Sequence, residues 1–274
     1  MPGQRWPDCD AETSRFVERV VVALRDHLGR ELLGVYLHGS LALGSYYAPK
    51  SDIDLLLVVR AALDPAARER LSRLFLTLSV DRPTLGDVEV STITEQAARH
   101  FEHPMPFEMH YSVSWNERIR SGDIDYSAER KDPDLTAHVT SVRESGIALY
   151  GPAPTEVFAP VPEEAFLESI LDDLEWIVEG RNILESPFYG VLNGCRVLLV
   201  LADRTRLVPS KEEAALWALE NVPKIHRGVV RDALDAYRSA DPVSEAQRQT
   251  AGRDWDEEAL LSFRDFLVAQ VPWP

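Results

Sequence analysis

A chain of 274 residues can bury one large core or two smaller ones. Its content, 45% hydrophobic and 27% charged, is that of a globular protein, and with no early signal-type run and no apolar stretch of about 18 residues the expected compartment is the cytoplasm, away from membranes. The formal net charge of -16, from 45 acidic against 29 basic residues, repels phosphate-coated polymers and attracts polycations, so a nucleic-acid substrate is disfavoured; the two cysteines, Cys9 and Cys195, are expected as free thiols.

Residues 1–10 carry two prolines and a glycine and predict a lead-in loop. Phe16, Val20, Val21, Leu24 and Leu28 recur at helical spacing, so 11–29 predicts a helix capped by Gly29. Residues 34–60 then form the stretch that organises the chain. Two apolar runs, 34–37 and 55–59, predict buried strands, and between them lie Gly39, Ser40, Gly44, Ser51, Asp52 and Asp54. Side chains at i and i+2 of a strand share a face, so Asp52 and Asp54 should point together toward Gly39 and Ser40. Two carboxylates on one face repel unless a cation lies between them. Hard oxygen ligands suit magnesium, which keeps positions open for water and phosphates.

Residues 64–79 predict a helix with Asp64 as N-cap and Pro65 at its first position. Residues 87–94 alternate as a strand that places Asp87, Glu89 and Ser91 on one face. If that strand lies beside the one bearing Asp54, Glu89 completes an acidic cluster, as a third metal ligand or as a base of raised pKa. His100, His103 and His110 lack metal-ligand spacing and are expected as loop or core histidines. Residues 134–149 predict a helix. In 151–162, four prolines and a glycine within twelve residues mark a joint. Beyond it 163–178, 187–204, 211–220, 224–239 and 257–271 all predict helix, and the tail Pro272-Trp273-Pro274 has no evident role. The expected architecture is an α+β domain over 1–150 (a mixed sheet flanked by helices), a proline-rich joint over 151–162 and an all-α helical bundle over 163–274.

Gly39-Ser40, Gly44 and Ser51-Asp52-Ile53-Asp54-Leu55 resemble the GS…G…SD-x-D-L signature of the nucleotidyltransferase superfamily with the polymerase-beta-type catalytic domain. Four further matches, spread between about 33 and 271, narrow the resemblance to the bacterial aminoglycoside 3''/9-adenylyltransferases. They are the strand Val88-Glu89-Val90-Ser91, Trp115, the joint from Gly151-Pro152 to Pro162, and the helical-domain set Asn193, Cys195, Arg196, Val208-Pro209-Ser210-Lys211 and Trp217-Ala218.

This resemblance implies magnesium-dependent transfer of AMP from ATP to a hydroxyl of a cationic small acceptor of streptomycin or spectinomycin type, releasing pyrophosphate, in a monomer. It implies Asp52 and Asp54, with Glu89, at the metal, and Glu89 as general base. Gly39, Ser40, Ser51, Arg196 and Lys211 would bind the nucleotide, and Lys211 and Arg196 would reach its phosphates from the helical half. Trp115, Trp176, Glu179 and Glu185 would face the acceptor. The stretch after Trp176 departs from the family's pattern in carrying Arg181 between the two glutamates. Read as residues alone, Trp115 and Trp176 equally suit a core, and Arg196 in its apolar helix needs an anion or water, with Asp172 or Asp173 as protein candidates. A protein acceptor, another amino sugar and a catalytically silent nucleotide-binding module are the alternative functions.

Overall fold

The computed structural model describes residues 3–48, 50–239, 241 and 243–271; Pro272-Trp273-Pro274 lies outside them. The first half runs α1 (Ala11–Leu28), β1 (Leu32–His38), α2 (Gly39–Leu43), β2 (Ile53–Val59), α3 (Pro65–Leu78), β3 (Val88–Thr94), α4 (Glu95–Arg99), β4 (Met105–Phe107), β5 (Met109–Tyr111), α5 (Asn116–Ser121), β6 (Arg130–Asp132), α6 (Leu135–Ser145) and β7 (Ile147–Tyr150). The caps follow the sequence. Asp10 accepts from the N–H groups of Glu12 and Thr13 at the start of α1, Gly29 closes its end at φ 52°, and Asp64 accepts from Ala67 N–H at the head of α3, where Pro65 lacks a donor to lose.

The main sheet has the order β5-β3-β2-β1-β7 and is mixed: β2 and β3 are parallel, and the other neighbours are antiparallel. The period of two sorts its residues into two apolar layers. Val35, Leu37, Leu55, Leu57 and Val90 pack with Phe16, Val20 and Phe75 of α1 and α3. Tyr36, Leu56, Val58 and Ile93 pack with Val139 and Val142 of α6 on the opposite face. Both faces are covered, which is why β1 is buried at every position.

The expected helix over 134–149 is two elements. Backbone N–H of Gly146 caps Val142 C=O at 2.8 Å, and Ile147–Tyr150 then pairs antiparallel with β1 as an edge strand. A short run of Ile, Ala, Leu and Tyr fits helix or strand by composition. The unpaired edge of β1 decides it, because only a strand there satisfies that row of backbone groups. β4 and β6 form a separate two-stranded ribbon that their three-residue lengths concealed from pattern reading. Most of 151–162 is irregular, with a single turn, α7 (Pro154–Val157), started by Pro154.

The remaining elements are helices: α8 (Glu163–Val178), α9 (Pro187–Ala202), α10 (Lys211–Asn221), α11 (Arg227–Arg238) and α12 (Glu257–Gln270). α9 is the hub, with twelve buried residues among its sixteen. A helix apolar all round belongs at the centre of a bundle. One residue of the first half, Tyr47, is built into this helical core. Its hydroxyl donates to Glu212 at 2.7 Å and its ring meets Tyr237 edge-on at 5.0 Å. Tyr237 in turn donates to Ser45 C=O at 2.6 Å, and Lys50 Nζ donates to Ser239 C=O at 2.8 Å. The loop between α2 and β2 is thereby fastened to α11, bringing the signature stretch against the helices.

Candidate functional site

Three neighbouring strands build the floor of the site. Along β1 and β2 His38 stands opposite Asp54, and along β2 and β3 Asp54 stands opposite Glu89. Paired residues on adjacent strands point to the same face, so His38, Asp54 and Glu89 form a row across the sheet. Asp52 lies just before β2 and belongs to the same rim. Gly39 follows His38 at φ 64°, and a Cβ there would fall inside the Asp54 carboxylate, so only glycine lets the turn into α2 pass so close. Ser40 Oγ is buried with no hydrogen-bond partner, a polar atom left for something the protein itself does not supply.

Electrostatics follow from this crowding. Burial, then the nearby Asp52, pushes Asp54 up to about 7. Burial raises Glu89 to about 8, with Asp54 and Asp52 adding to the rise and His138 opposing it. Both carboxyls therefore sit in the range where proton transfer near neutral pH is possible. His138, on α6, is the counterweight. Burial alone would lower it, but Asp134, whose Oδ2 lies 3.2 Å from its Nε2, together with Glu89 and Asp54 lifts it to about 10. It is an imidazolium cation at neutral pH. His38, wholly buried and 5.1 Å from the His138 ring, is pushed well below its ordinary value by burial and by that cation.

The opposite wall comes from the helices. Ser210 caps α10 by accepting from Glu213 N–H, which puts Lys211 at the first helical position. Lys211 Nζ lies 4.9 Å over the Tyr189 ring, and burial lowers its pKa while Asp52 and Asp54 pull it back up. Tyr189 donates to Asp173 Oδ1 at 3.1 Å, and Asn193 donates to Asp173 Oδ2 at 3.2 Å. Arg196 donates to Pro209 C=O at 3.0 Å and to Asn193 Oδ1 at 3.5 Å, so its link to Asp173 runs through Asn193. Asp172 is exposed and takes no part. Between floor and wall lies a cavity of about 490 Å³ lined by His38, Gly39, Ser40, Ser51, Asp52, Asp54, Glu89, Asp134, His138, Asp173, Trp176, Tyr189, Arg196, Lys211 and Arg248, among others.

The structure thus gathers Gly39, Ser40, Ser51, Asp52, Asp54, Glu89, Arg196, Lys211 and Trp176 around one cleft. Trp176 is 45% exposed, at the rim. Ser51 is already engaged, accepting from Tyr47 N–H at 2.9 Å and donating to Tyr237 Oη at 3.4 Å. Three expected acceptor residues are not brought in. Trp115 packs beside His110, with Arg118 and Arg130 over its ring at 4.9 and 5.7 Å, and does not line the cleft. Glu179 and Glu185 are exposed at the ends of the α8–α9 connection and do not line it either. His110 and His103 are satisfied by Ser91 and Thr136 hydroxyls at 3.1 and 2.8 Å, and both cysteines are free.

Among the described residues no three His, Cys, Asp or Glu side chains converge as a ready metal cage. The expected set Asp52, Asp54 and Glu89 therefore has no preformed counterpart, for Asp52 Oδ1 already accepts from Asp87 N–H and from Arg248. The donors still fit magnesium. Two adjacent hard carboxylates with Ser40 Oγ unpartnered nearby match an ion that takes one or two carboxylates and completes its shell with phosphates and water. Sequence reading missed His38, Asp134, His138, Tyr189, Tyr237 and Arg248. His38 directly precedes Gly39-Ser40, and Asp134 and His138 are four apart on one helix, so these carried a local signal. Arg248, 196 residues from Asp52, carried none.

Several known proteins are similar. Residues 156–268 match the family model described as aminoglycoside adenylyltransferase, C-terminal domain. An aminoglycoside (3'') (9) adenylyltransferase of Shigella flexneri is 30% identical over 240 residues, covering 83% of this chain and 86% of the relative. A spectinomycin 9-adenylyltransferase of Staphylococcus aureus is 27% identical over 223 residues, covering 78% and 81%. The crystal structure of the spectinomycin adenyltransferase AAD(9) from Enterococcus faecalis, with ATP and spectinomycin, shares the fold at a TM-score of 0.76 and 23% identity, over 93% of this chain and 99% of that one.

Proposed function

The chain belongs to the aminoglycoside (3'') (9) adenylyltransferase family, and from that premise we propose that it transfers AMP from ATP to a hydroxyl of an aminoglycoside or aminocyclitol antibiotic, streptomycin or spectinomycin among them, releasing pyrophosphate. The observation that carries the reading is the Asp54–Glu89 register, which sets a buried carboxyl of raised pKa beside a second carboxylate on the floor of the cleft between sheet and helices. The division of labour is between a catalytic domain over 1–150, a joint over 151–162 and a helical domain over 163–274 that closes on the nucleotide.

In this reaction Glu89, as carboxylate, takes the proton of the acceptor hydroxyl as its oxygen bonds to the α-phosphorus. The bond from that phosphorus to the bridging oxygen breaks, and pyrophosphate leaves with the electron pair. Lys211 and Arg196 contact the phosphates from the helical side, where charge-assisted hydrogen bonds are roughly twice as strong as neutral ones. Ser40 Oγ and the backbone N–H groups beside Gly39 donate to the triphosphate. Asp52 and Asp54 would hold magnesium, and the chemistry it would supply there is neutralisation of the phosphate charge that repels an incoming oxygen. Trp176 at the rim and Asp173 deeper in face a cationic acceptor. Use of ATP and magnesium by a monomer in the cytoplasm belongs to the same reading.

The test is pyrophosphate release from ATP and magnesium across a panel of aminoglycosides containing streptomycin and spectinomycin. Release with at least one of these two is expected. Silence across the panel, with label from ATP appearing on a protein instead, overturns the small-molecule acceptor.

A further inference from the structure

Arg248 reaches the carboxylate floor from outside the helices bearing Arg196 and Lys211: it lies in the segment before α12. Its guanidinium donates to Asp52 Oδ1 at 2.8 Å, with the two side chains 25% and 32% exposed. It lines the same cleft as Arg196 and Lys211, and its charge bears on Asp87 as well. The segment 243–256 that presents it is a built turn and no loose strap. Ser244 and Gln247 cap each other, Trp255 Nε1 donates to Thr250 C=O at 2.9 Å, and Gln249 accepts from Ser186 at the head of α9. Ala251 is 7% exposed within the helical core and holds φ 54°, a conformation costly for a residue with a Cβ. Side-chain and core contacts together fix where Arg248 starts.

A guanidinium hydrogen-bonded to Oδ1 and a divalent cation bound to the same carboxylate would place two positive centres within a few bond lengths of each other, and that repulsion grows as water is excluded. We propose that Arg248 and a divalent cation are alternative partners of Asp52, and that Arg248 passes from that carboxylate to the nucleotide's phosphates as cation and nucleotide bind. It is a positioning residue: it keeps Asp52 aimed at the cleft, then adds a third cationic contact beside Arg196 and Lys211, where the planar fork of arginine matches phosphate oxygens. The inference rests on the reading of Asp52 as a metal ligand.

Binding of two probes to the full chain tests it: Mn²⁺ alone, followed by its paramagnetic resonance, and magnesium with α,β-methylene-ATP, followed by calorimetry. Arg248→Ala is expected to bind Mn²⁺ about fivefold more tightly and the nucleotide analogue about tenfold more weakly. Arg248→Lys, which keeps the charge and loses the fork, should fall between. Damage to the fold would weaken both, so the opposite signs carry the meaning. Unchanged or weaker Mn²⁺ binding in Arg248→Ala, or unchanged analogue binding, overturns the exchange. Asp52→Asn separates the two readings. If it loses Mn²⁺ while Arg248→Ala leaves Mn²⁺ affinity unchanged, only the exchange falls. If Asp52→Asn keeps Mn²⁺, the ligand assignment falls and the exchange with it.

Discussion

The two walls of the cleft are built on opposite plans. The sheet wall concentrates acid: Asp52, Asp54, Asp87 and Glu89 lie in or just before the two adjacent strands β2 and β3, with the buried cation His138 against them. The helical wall brings base: Arg196, Lys211 and Arg248, each held by side chains or carbonyls of the helical half or by Asp52 itself. The chain as a whole carries -16, yet the wall that would meet a triphosphate is cationic. Net charge governs long-range attraction, and contact chemistry is set over a few ångströms by side chains that folding brings together.

Under the proposed reaction the proton step falls to the sheet wall and affinity for phosphate to the helical wall. The largest expected effect is on the sheet. Glu89→Gln should lower product formation by about 10²- to 10⁴-fold while ATP affinity holds, measured as steady-state release against equilibrium binding. A loss confined to ATP binding would move Glu89 from base to ligand. On the helical wall, Arg196→Ala and Lys211→Ala should each weaken ATP binding by about tenfold to a hundredfold, the range for a hydrogen bond to a charged group.

The fastening between the walls gives the next effect. Tyr237→Phe leaves Ser45 C=O without its donor and should cost about 1–2 kcal/mol in a denaturation experiment. The balance within the acidic wall is read from pH. Glu89 accepts a proton only when ionised, so the rate should rise with pH through about 8, and His138→Leu, by removing the cation that favours its ionised form, should move that limb to higher pH. A limb that stays in place means the His138 charge does not reach Glu89. The smallest effect is outside the cleft: Glu179→Gln and Glu185→Gln, both exposed, should change acceptor KM by less than about twofold.

Sequence legibility divides along the same line. Asp52, Asp54 and Glu89 are readable because strand periodicity puts alternate side chains on one face, and the parallel β2–β3 register needs only the right neighbour, while Gly39 and Ser40 of α2 are readable as the small residues of the signature between the two apolar runs. On the helical side Arg196 and Lys211 were found through resemblance, since an arginine in an apolar helix announces a partner without naming it. Trp115 shows the limit. Its position in the chain suggested the acceptor, but an aromatic beside Arg118 and Arg130 finds cation–π partners on the spot and stays there.

The sequence by itself determined the principal strands, the proline joint, the run of helices and the alternation that puts Glu89 on one face of its strand, because each depends on local periodicity, capping and turn chemistry, while the strand order that aligns Asp54 with Glu89 came from folding. Tertiary structure alone decided that 147–150 is an edge strand, that Tyr47 belongs to the helical core, that His138 charges the acidic floor and that Arg248 reaches Asp52. Those facts depend on which surfaces meet across long stretches of chain. Pairing an open sheet edge, burying a ring or neutralising a carboxylate is satisfied by whatever folding brings within a few ångströms, and no local pattern encodes that.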